Sequence, residues 1–201
     1  MERKSEVELD QRTRRRLETY LELLYLAGDT RNLTRVARDK AWERHIEESL
    51  SLVPLRPWRS GELVVDLGSG GGVPGIPLAL LMPQVRFVLV ERTQSKAAFL
   101  RSCVSELGLS AVTVEAREAL ELGRDPAHPR ADVVVSRAAA PLPRLLPLVS
   151  PLLRPGGEAI LVVGSSVHGS ADLASTCARA HLGTPKIVDP GRIRVLRVRR
   201  R

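Results

Sequence analysis

Three observations predict an α/β fold built on a doubly wound, mostly parallel sheet. From Glu62 onward, short apolar runs alternate with helical segments. A glycine-rich turn joins the first run to the first helix. The first sixty residues carry helical spacing only. Alternating strands and helices favour parallel pairing, because crossover helices cover both faces of the sheet. The expected architecture is a mostly parallel seven-stranded sheet with helices on both faces and an N-terminal helical extension. Residues 1–60 form the extension and residues 61–201 the sheet domain, the two making one compact unit.

In the extension, Leu17, Tyr20, Leu21, Leu24 and Tyr25 recur at helical spacing, and Gly28 is the expected C-cap. Arg31 to Thr34 reads as a polar turn. A second helix is expected over about Lys40 to Leu52, stopped near Pro54, and Pro57, Ser60 and Gly61 mark the boundary. Five strands follow: Leu63 to Val65, Val85 to Val90, Val112 to Val114, Val133 to Val135 and Ala159 to Val163. The first two are nearly continuous apolar runs, as strands buried on both faces require. Helices are predicted at Ile76–Leu81, Ser95–Leu107 and Leu142–Leu153. Pro143, Pro147 and Pro151 should break the last of these. A helix near Ala171–His181 and strands near Ile187 and Ile193–Val198 complete the layer. The terminal run, mixing Val and Leu with Arg, reads as an edge strand with a charged, loosely held tail.

At 201 residues the chain accommodates one such domain and a short extension. Its hydrophobic fraction is 43%, enough for a core, but only 3% is aromatic, so Leu, Val, Ile and Ala must fill it. The formal charge of +8 fits a polyanionic partner such as nucleic acid, or simply an Arg-rich composition. Arginines concentrate at Arg12, Arg14, Arg15 and Arg16, and again from Arg192 to Arg201. Cys103 and Cys177 show neither metal-ligand spacing nor a disulfide framework. No apolar run reaches membrane length. The expectation is a cytoplasmic protein with no metal and no membrane contact.

The stretch from Leu63, LVVDLGSGGGVPGIPLALL, runs from a strand through Gly68, Gly70, Gly71, Gly72 and Gly75 into a helix that Pro77 suits. Glycines permit a tight turn and close approach to a ligand. Nicotinamide dinucleotide enzymes use such turns too, so the loop alone does not choose a cofactor. Asp66, two residues before Gly68, does discriminate. A pyrophosphate nearby would repel it, whereas S-adenosylmethionine carries an ammonium and a sulfonium. Glu91, at the end of the second strand, can accept bonds from both ribose hydroxyls. The joint pattern points to a Rossmann-like class I S-adenosylmethionine-dependent methyltransferase fold. Asp66, Gly68, Ser69, Gly70, Gly72 and Glu91 are the candidate cofactor-binding residues.

Five segments resemble the bacterial small-subunit rRNA guanine-N7 methyltransferases, also called the glucose-inhibited division protein B family. They are RNLTRV (Arg31–Val36), RHIEESL (Arg44–Leu50), DLGSGGGVPGIPLAL (Asp66–Leu80), KAAFLR (Lys96–Arg101) and VVSRAAAPL (Val134–Leu142). The resemblance implies methyl transfer from S-adenosylmethionine to a guanine N7 of 16S rRNA, presented as the small ribosomal subunit or an assembly intermediate, by a monomer. It implies that Gly68 and Val73 touch the cofactor, that Glu118 and Ala119 lie near the adenine, and that Arg137 sits beside the cofactor. Three places depart from the family pattern. Arg117-Glu118-Ala119 replaces Arg-Ala-Glu after the third strand, Arg92 replaces a small residue, and Val163-Gly164 replaces Lys-Gly.

The residues also bear on the acceptor. Guanine N7 presents a lone pair and no proton, so its attack needs alignment but no general base. Exocyclic-amine methylation usually brings an Asn/Asp-Pro-Pro-aromatic motif where Ser136-Arg137-Ala138 stands here, and pyrimidine C5 methylation needs a reactive cysteine. Cys103 and Cys177 read as packing residues. Arg137, just past a strand end, is the candidate catalytic residue, with pairing to a local carboxylate as its alternative. Ser136, His45 and Trp42 read as structural. Arg92, Lys96 and Arg101 are either phosphate contacts or a solvated helix face. A small-molecule or O-methyltransferase of the same fold, and a cofactor-binding RNA module without turnover, remain alternatives.

Overall fold

The computed structural model describes residues 7–137 and 140–201. Asp10 accepts a hydrogen bond from the Thr13 backbone N–H at 2.7 Å, capping helix α1 (Gln11–Arg31). The expected stop at Gly28 is wrong. The helix runs through that glycine to Arg31, and the chain reverses at Asn32, whose φ of 50° lies in the left-handed region that Asn tolerates. The single helix expected over Lys40 to Leu52 is instead a composite. A 3-10 turn (Arg38–Lys40) leads into a π-helical turn (Trp42–Glu47), then α2 (Glu48–Leu50), then a 3-10 turn (Val53–Leu55). This irregular stretch buries His45, Ile46, Glu48 and Ser49 together.

The strands are β1 (Leu63–Leu67), β2 (Arg86–Val90), β3 (Val112–Glu115), β4 (Ala131–Arg137), β5 (Leu153–Val163), β6 (Lys186–Val188) and β7 (Arg194–Arg199). They form one seven-stranded sheet in the order β3-β2-β1-β4-β5-β7-β6. β1 through β5 are parallel, and β7 runs antiparallel to β5 and β6. The mostly parallel seven-stranded sheet is thus as expected. The terminal strand is not at an edge, however. β7 lies between β5 and β6, and two of its arginines are engaged: Arg197 meets Glu158 at 2.7 Å and Arg194 meets Asp189 at 2.9 Å. Nor is the end a loose tail, because the Arg200 N–H donates to Gly157 O at 2.8 Å. The Glu158 and Asp189 partners, distant in sequence or in a turn, make an interior place tolerable for so many cations.

Alternation along each strand divides the core. Val64, Phe87, Leu89, Val133, Val135 and Ile160 face one side, packed with α1, α3 (Gly75–Leu81) and α4 (Gln94–Glu106). Val65, Val88, Val134, Ala159 and Leu161 face the other, against α5 (Ala119–Arg124), α6 (Leu142–Val149) and α7 (Ala171–Arg179). Burying each Val, Leu, Ile or Phe among these stabilises by about 1.5–3 kcal/mol. The proline-rich segment breaks as expected, α6 giving way to a 3-10 turn at Ser150–Leu152. The six-residue α5 has no apolar stripe in sequence and was not anticipated. Leu17, Tyr20 and Leu24 of α1 belong to the same core as Ile76 and Leu100.

β1 pairs with β2 on one side and with β4 on the other, and their following loops leave in opposite directions. Crevices at such a switch point, beyond the carboxyl ends of the strands, are where open α/β sheets bind ligands. Among the described residues no helix is long and apolar enough to cross a membrane.

Candidate cofactor site and the arginine beside it

The loop after β1 folds back across the end of β2. The Gly68 and Ser69 N–H groups both donate to Val90 O, at 2.9 and 3.0 Å. Gly72 adopts φ +96°, closed to ordinary L residues, and the loop then turns into α3. At Gly75 a Cβ would stand 2.6 Å from Asp66 Oδ2, so only glycine admits the carboxylate beneath the helix start. Val73 is buried in the same turn, its N–H donating to Ser69 O at 3.3 Å, and Ser69 Oγ donates to Asp66 O at 2.8 Å.

Asp66 is wholly buried. Oδ2 accepts from the Gly75 N–H at 3.0 Å, while Oδ1 has no hydrogen-bond partner among the described residues. Burial pushes its carboxyl up to about 7, against the opposing pull of the Gly75 N–H. An unpartnered, desolvated carboxylate oxygen costs free energy unless a donor or cation meets it. That is the need an ammonium-bearing ligand fills. Glu91, also buried, ties the two loops together: Oε2 accepts from Gly70 N–H at 3.0 Å and Oε1 from Thr93 N–H at 2.8 Å. Lone pairs remain on both oxygens for ligand hydroxyls.

On the β3 side, Glu118 precedes α5 and Ala119 begins it. Two of the departures from the family pattern meet here, with Arg92 Nη1 3.3 Å from Glu118 Oε1. Their side chains are 73% and 55% exposed, so the pair contributes little to stability. It does lie across the gap between the β2 and β3 loops.

Arg137 ends β4. Its Nη1 donates to Arg44 O and to Glu48 Oε2, the latter at 3.2 Å, and Nη2 is 3.2 Å from His45 Nδ1. His45 Nε2 in turn lies 2.9 Å from Thr34 Oγ1. Burial, with the Arg137 and Arg44 charges beside it, pushes the His45 imidazole down to about 4, so it is neutral. Asp66 is close enough to Arg137 for each charge to favour the other. The arginine therefore has both the crevice position and the carboxylate partner that the residues allowed. Ala138, which completes the Ser-Arg-Ala motif, and Ala139 lie outside the described residues. Ser136 is structural as expected, donating to Leu67 O at 2.7 Å.

Three participants escaped the sequence reading. Glu48 lacks any motif of its own, and only its place in RHIEESL hints at it. His45 read as a junction residue, yet its ring meets Arg137. Tyr20 read as core, and it is fully buried, but its hydroxyl also donates to Gly71 O at 2.8 Å, reaching the glycine loop from α1. Both cysteines are buried, and burial pushes Cys103 up to about 12 and raises Cys177. Neither supplies a thiolate near neutral pH. No three His, Cys, Asp or Glu residues are grouped to hold a metal among the described residues.

Among solved structures, the fold is similar to MtNAS in complex with MTA and tNA: TM-score 0.62, 16% identity, covering 92% of this chain and 71% of that one. It is also similar to a SAM-dependent methyltransferase from Aquifex aeolicus: TM-score 0.58, 13% identity, covering 80% and 92%. In sequence, the chain is 40% identical over 160 residues to the ribosomal RNA small subunit methyltransferase G of Sorangium cellulosum, covering 79% of this chain and 67% of the relative. It is 44% identical over 149 residues to that of Acidothermus cellulolyticus, covering 74% and 64%. About two thirds of the length of these relatives is therefore matched. The rRNA small subunit methyltransferase G family matches residues 13–185. With the glycine loop, both acids and the strand-end arginine inside that span, the chain belongs to the rRNA small subunit methyltransferase G family.

Proposed function

We propose that this protein transfers a methyl group from S-adenosylmethionine to N7 of a guanine in 16S ribosomal RNA, acting as a cytoplasmic monomer on the small subunit or an assembly intermediate. The observation that carries the cofactor assignment is the buried Asp66 carboxylate with one unpartnered oxygen at the sheet's switch point. S-adenosylmethionine supplies a methyl already activated by its sulfonium, so the protein's work is placement.

In this reading Asp66 favours the ammonium-bearing end, and Gly68, Ser69, Gly70, Gly72 and Val73 shape the floor. Glu91 accepts the ribose hydroxyls, and Glu118 and Ala119 border the adenine side. Arg137, as the catalytic residue, orients the target base next to the cofactor and holds a cation where the RNA backbone is anionic. No proton has to leave guanine N7 before attack, which suits a crevice whose one nearby imidazole is occupied on both nitrogens. The elevated thiols disfavour a covalent pyrimidine route. The helical extension contributes its own core residues and acts with the sheet as one unit.

The test uses labelled S-adenosylmethionine and small subunits from a strain lacking this modification, followed by mapping of the labelled base. Label on a guanine N7 is expected from the wild type. Arg137→Ala should lose most of that labelling while its melting transition stays cooperative. Label confined to small metabolites, or cofactor binding without any transfer, would overturn the assignment.

A further inference from the structure

We propose that Glu48 and His45 are positioning residues for Arg137, so that the helical layer preceding the sheet sets the guanidinium used in methyl transfer. The inference rests on the assignment of Arg137 to the reaction. A guanidinium offers five N–H donors and no acceptor. Three of its hydrogen bonds go to one short segment: to the Arg44 carbonyl, to Glu48 Oε2 and to His45 Nδ1. These partners lie 89 to 93 residues away in sequence, on the π-helical turn and α2.

The chemistry of each partner is specified by its surroundings. Arginine only donates, so His45 Nδ1 must present its lone pair. The ring proton therefore sits on Nε2 and donates to Thr34 Oγ1, 2.9 Å away. Thr34 Oγ1 also accepts from the Val36 N–H at 3.0 Å, which holds the hydroxyl in place. A protonated imidazole would aim a second N–H at the guanidinium and push it away. Glu48 uses its two oxygens separately. Oε1 accepts from Arg44 Nη1, one helical turn back, and Oε2 accepts from Arg137. Its side chain is only 4% exposed and that of Arg137 20%. A surface helix pair with Arg44 would need neither that burial nor the second oxygen. With the planar head held from two directions, the side chain loses the rotamer freedom that would otherwise blur its aim.

The experiment measures methylation of small subunits lacking the modification, S-adenosylmethionine affinity by calorimetry, and melting temperature. It compares wild type, Arg137→Ala, Glu48→Gln, His45→Leu, His45→Asn and the double variant Arg137→Ala/Glu48→Gln. Glu48→Gln should lower kcat about tenfold or more while cofactor affinity changes less than about threefold. His45→Leu removes the acceptor and should behave alike, whereas His45→Asn, which keeps an acceptor near the Nδ1 position, should recover most of the rate. The double variant should be no slower than Arg137→Ala, because both changes break the same interaction.

Wild-type kcat in Glu48→Gln, with Arg137→Ala inactive, would overturn the positioning role and leave the proposed reaction intact. Additive losses in the double variant, or equal losses in His45→Leu and His45→Asn, would also overturn it. Full activity in Arg137→Ala would instead remove Arg137 from the reaction. If Glu48→Gln fails to fold, the His45 pair decides.

Discussion

The two halves of the crevice are built differently. On the β1–β2 side, the interactions that shape the loop join close sequence neighbours. Asp66 reaches Gly75 nine residues on, and Glu91 reaches Gly70 twenty-one residues back. On the β4 side, Arg137 is held by Arg44, His45 and Glu48 from across the chain. The first half places a buried carboxylate where a cationic ligand end is wanted. The second places a half-buried cation, with a neutral histidine and a carboxylate behind it. The contrast teaches that the half proposed to hold the cofactor is a nearly self-contained motif, while the half proposed to aim the acceptor depends on the helical layer. Variants on the first side should therefore change binding, and variants on the second should change turnover.

The sharpest break is expected at Asp66. Asp66→Asn keeps an acceptor for Gly75 but removes the charge, and S-adenosylmethionine affinity should fall about a hundredfold, some 2.7 kcal/mol by calorimetry. The ligand-free variant should not be destabilised at pH 8. A carboxyl raised by burial to about 7 binds its proton more tightly folded than unfolded, so its contribution to stability is lost as pH rises from about 4 towards 7. Thermal melts at pH 5 and pH 8 should thus show the Asn variant gaining on the wild type at the higher pH.

Glu91→Gln should come next, with cofactor affinity lower by about tenfold, since an amide reproduces only part of the carboxylate's acceptor set. Equal losses of kcat in this variant at saturating cofactor would blur the division between the two halves. Tyr20→Phe tests the hydrogen bond that α1 makes to the loop's backbone. Leaving the buried Gly71 carbonyl unmet should cost about 1–2 kcal/mol in chemical denaturation, with a small rise in the KM for cofactor.

The smallest effect concerns acid. His45 is depressed to about 4 in the folded chain, so its stabilising share is present above its ordinary range near 6.5 and is lost as pH falls towards 4. Glu48, raised by burial, acts in the opposite sense over the lower part of that range. His45→Asn should flatten the acid limb of a melting profile, and an unchanged profile would show that the ring is not held neutral.

Much of the β1–β2 half is legible in the sequence. A strand, an acid, a glycine turn and a second acid are local signals, and local signals survive in a linear text. The first two strands are equally plain, because each is a short, nearly continuous apolar run. Helix ends were less plain. Gly28 reads as a stop, but a glycine inside a helix costs only about 1 kcal/mol, and α1 runs on to Arg31. The arginine-rich end looked like an edge because unpaired cations suit edges. Only the fold brought Glu158, 39 residues away, to meet Arg197.

By itself, then, the sequence determined the sheet's architecture, the turn at its switch point and the two acids that frame it, because each rests on periodicity or on residues a few positions apart. The tertiary structure alone decided that Glu48 and His45 converge on Arg137 and that Tyr20 reaches the glycine loop. Those contacts join segments separated by roughly fifty to ninety residues, and only the packing of the helical layer on the sheet sets their distances.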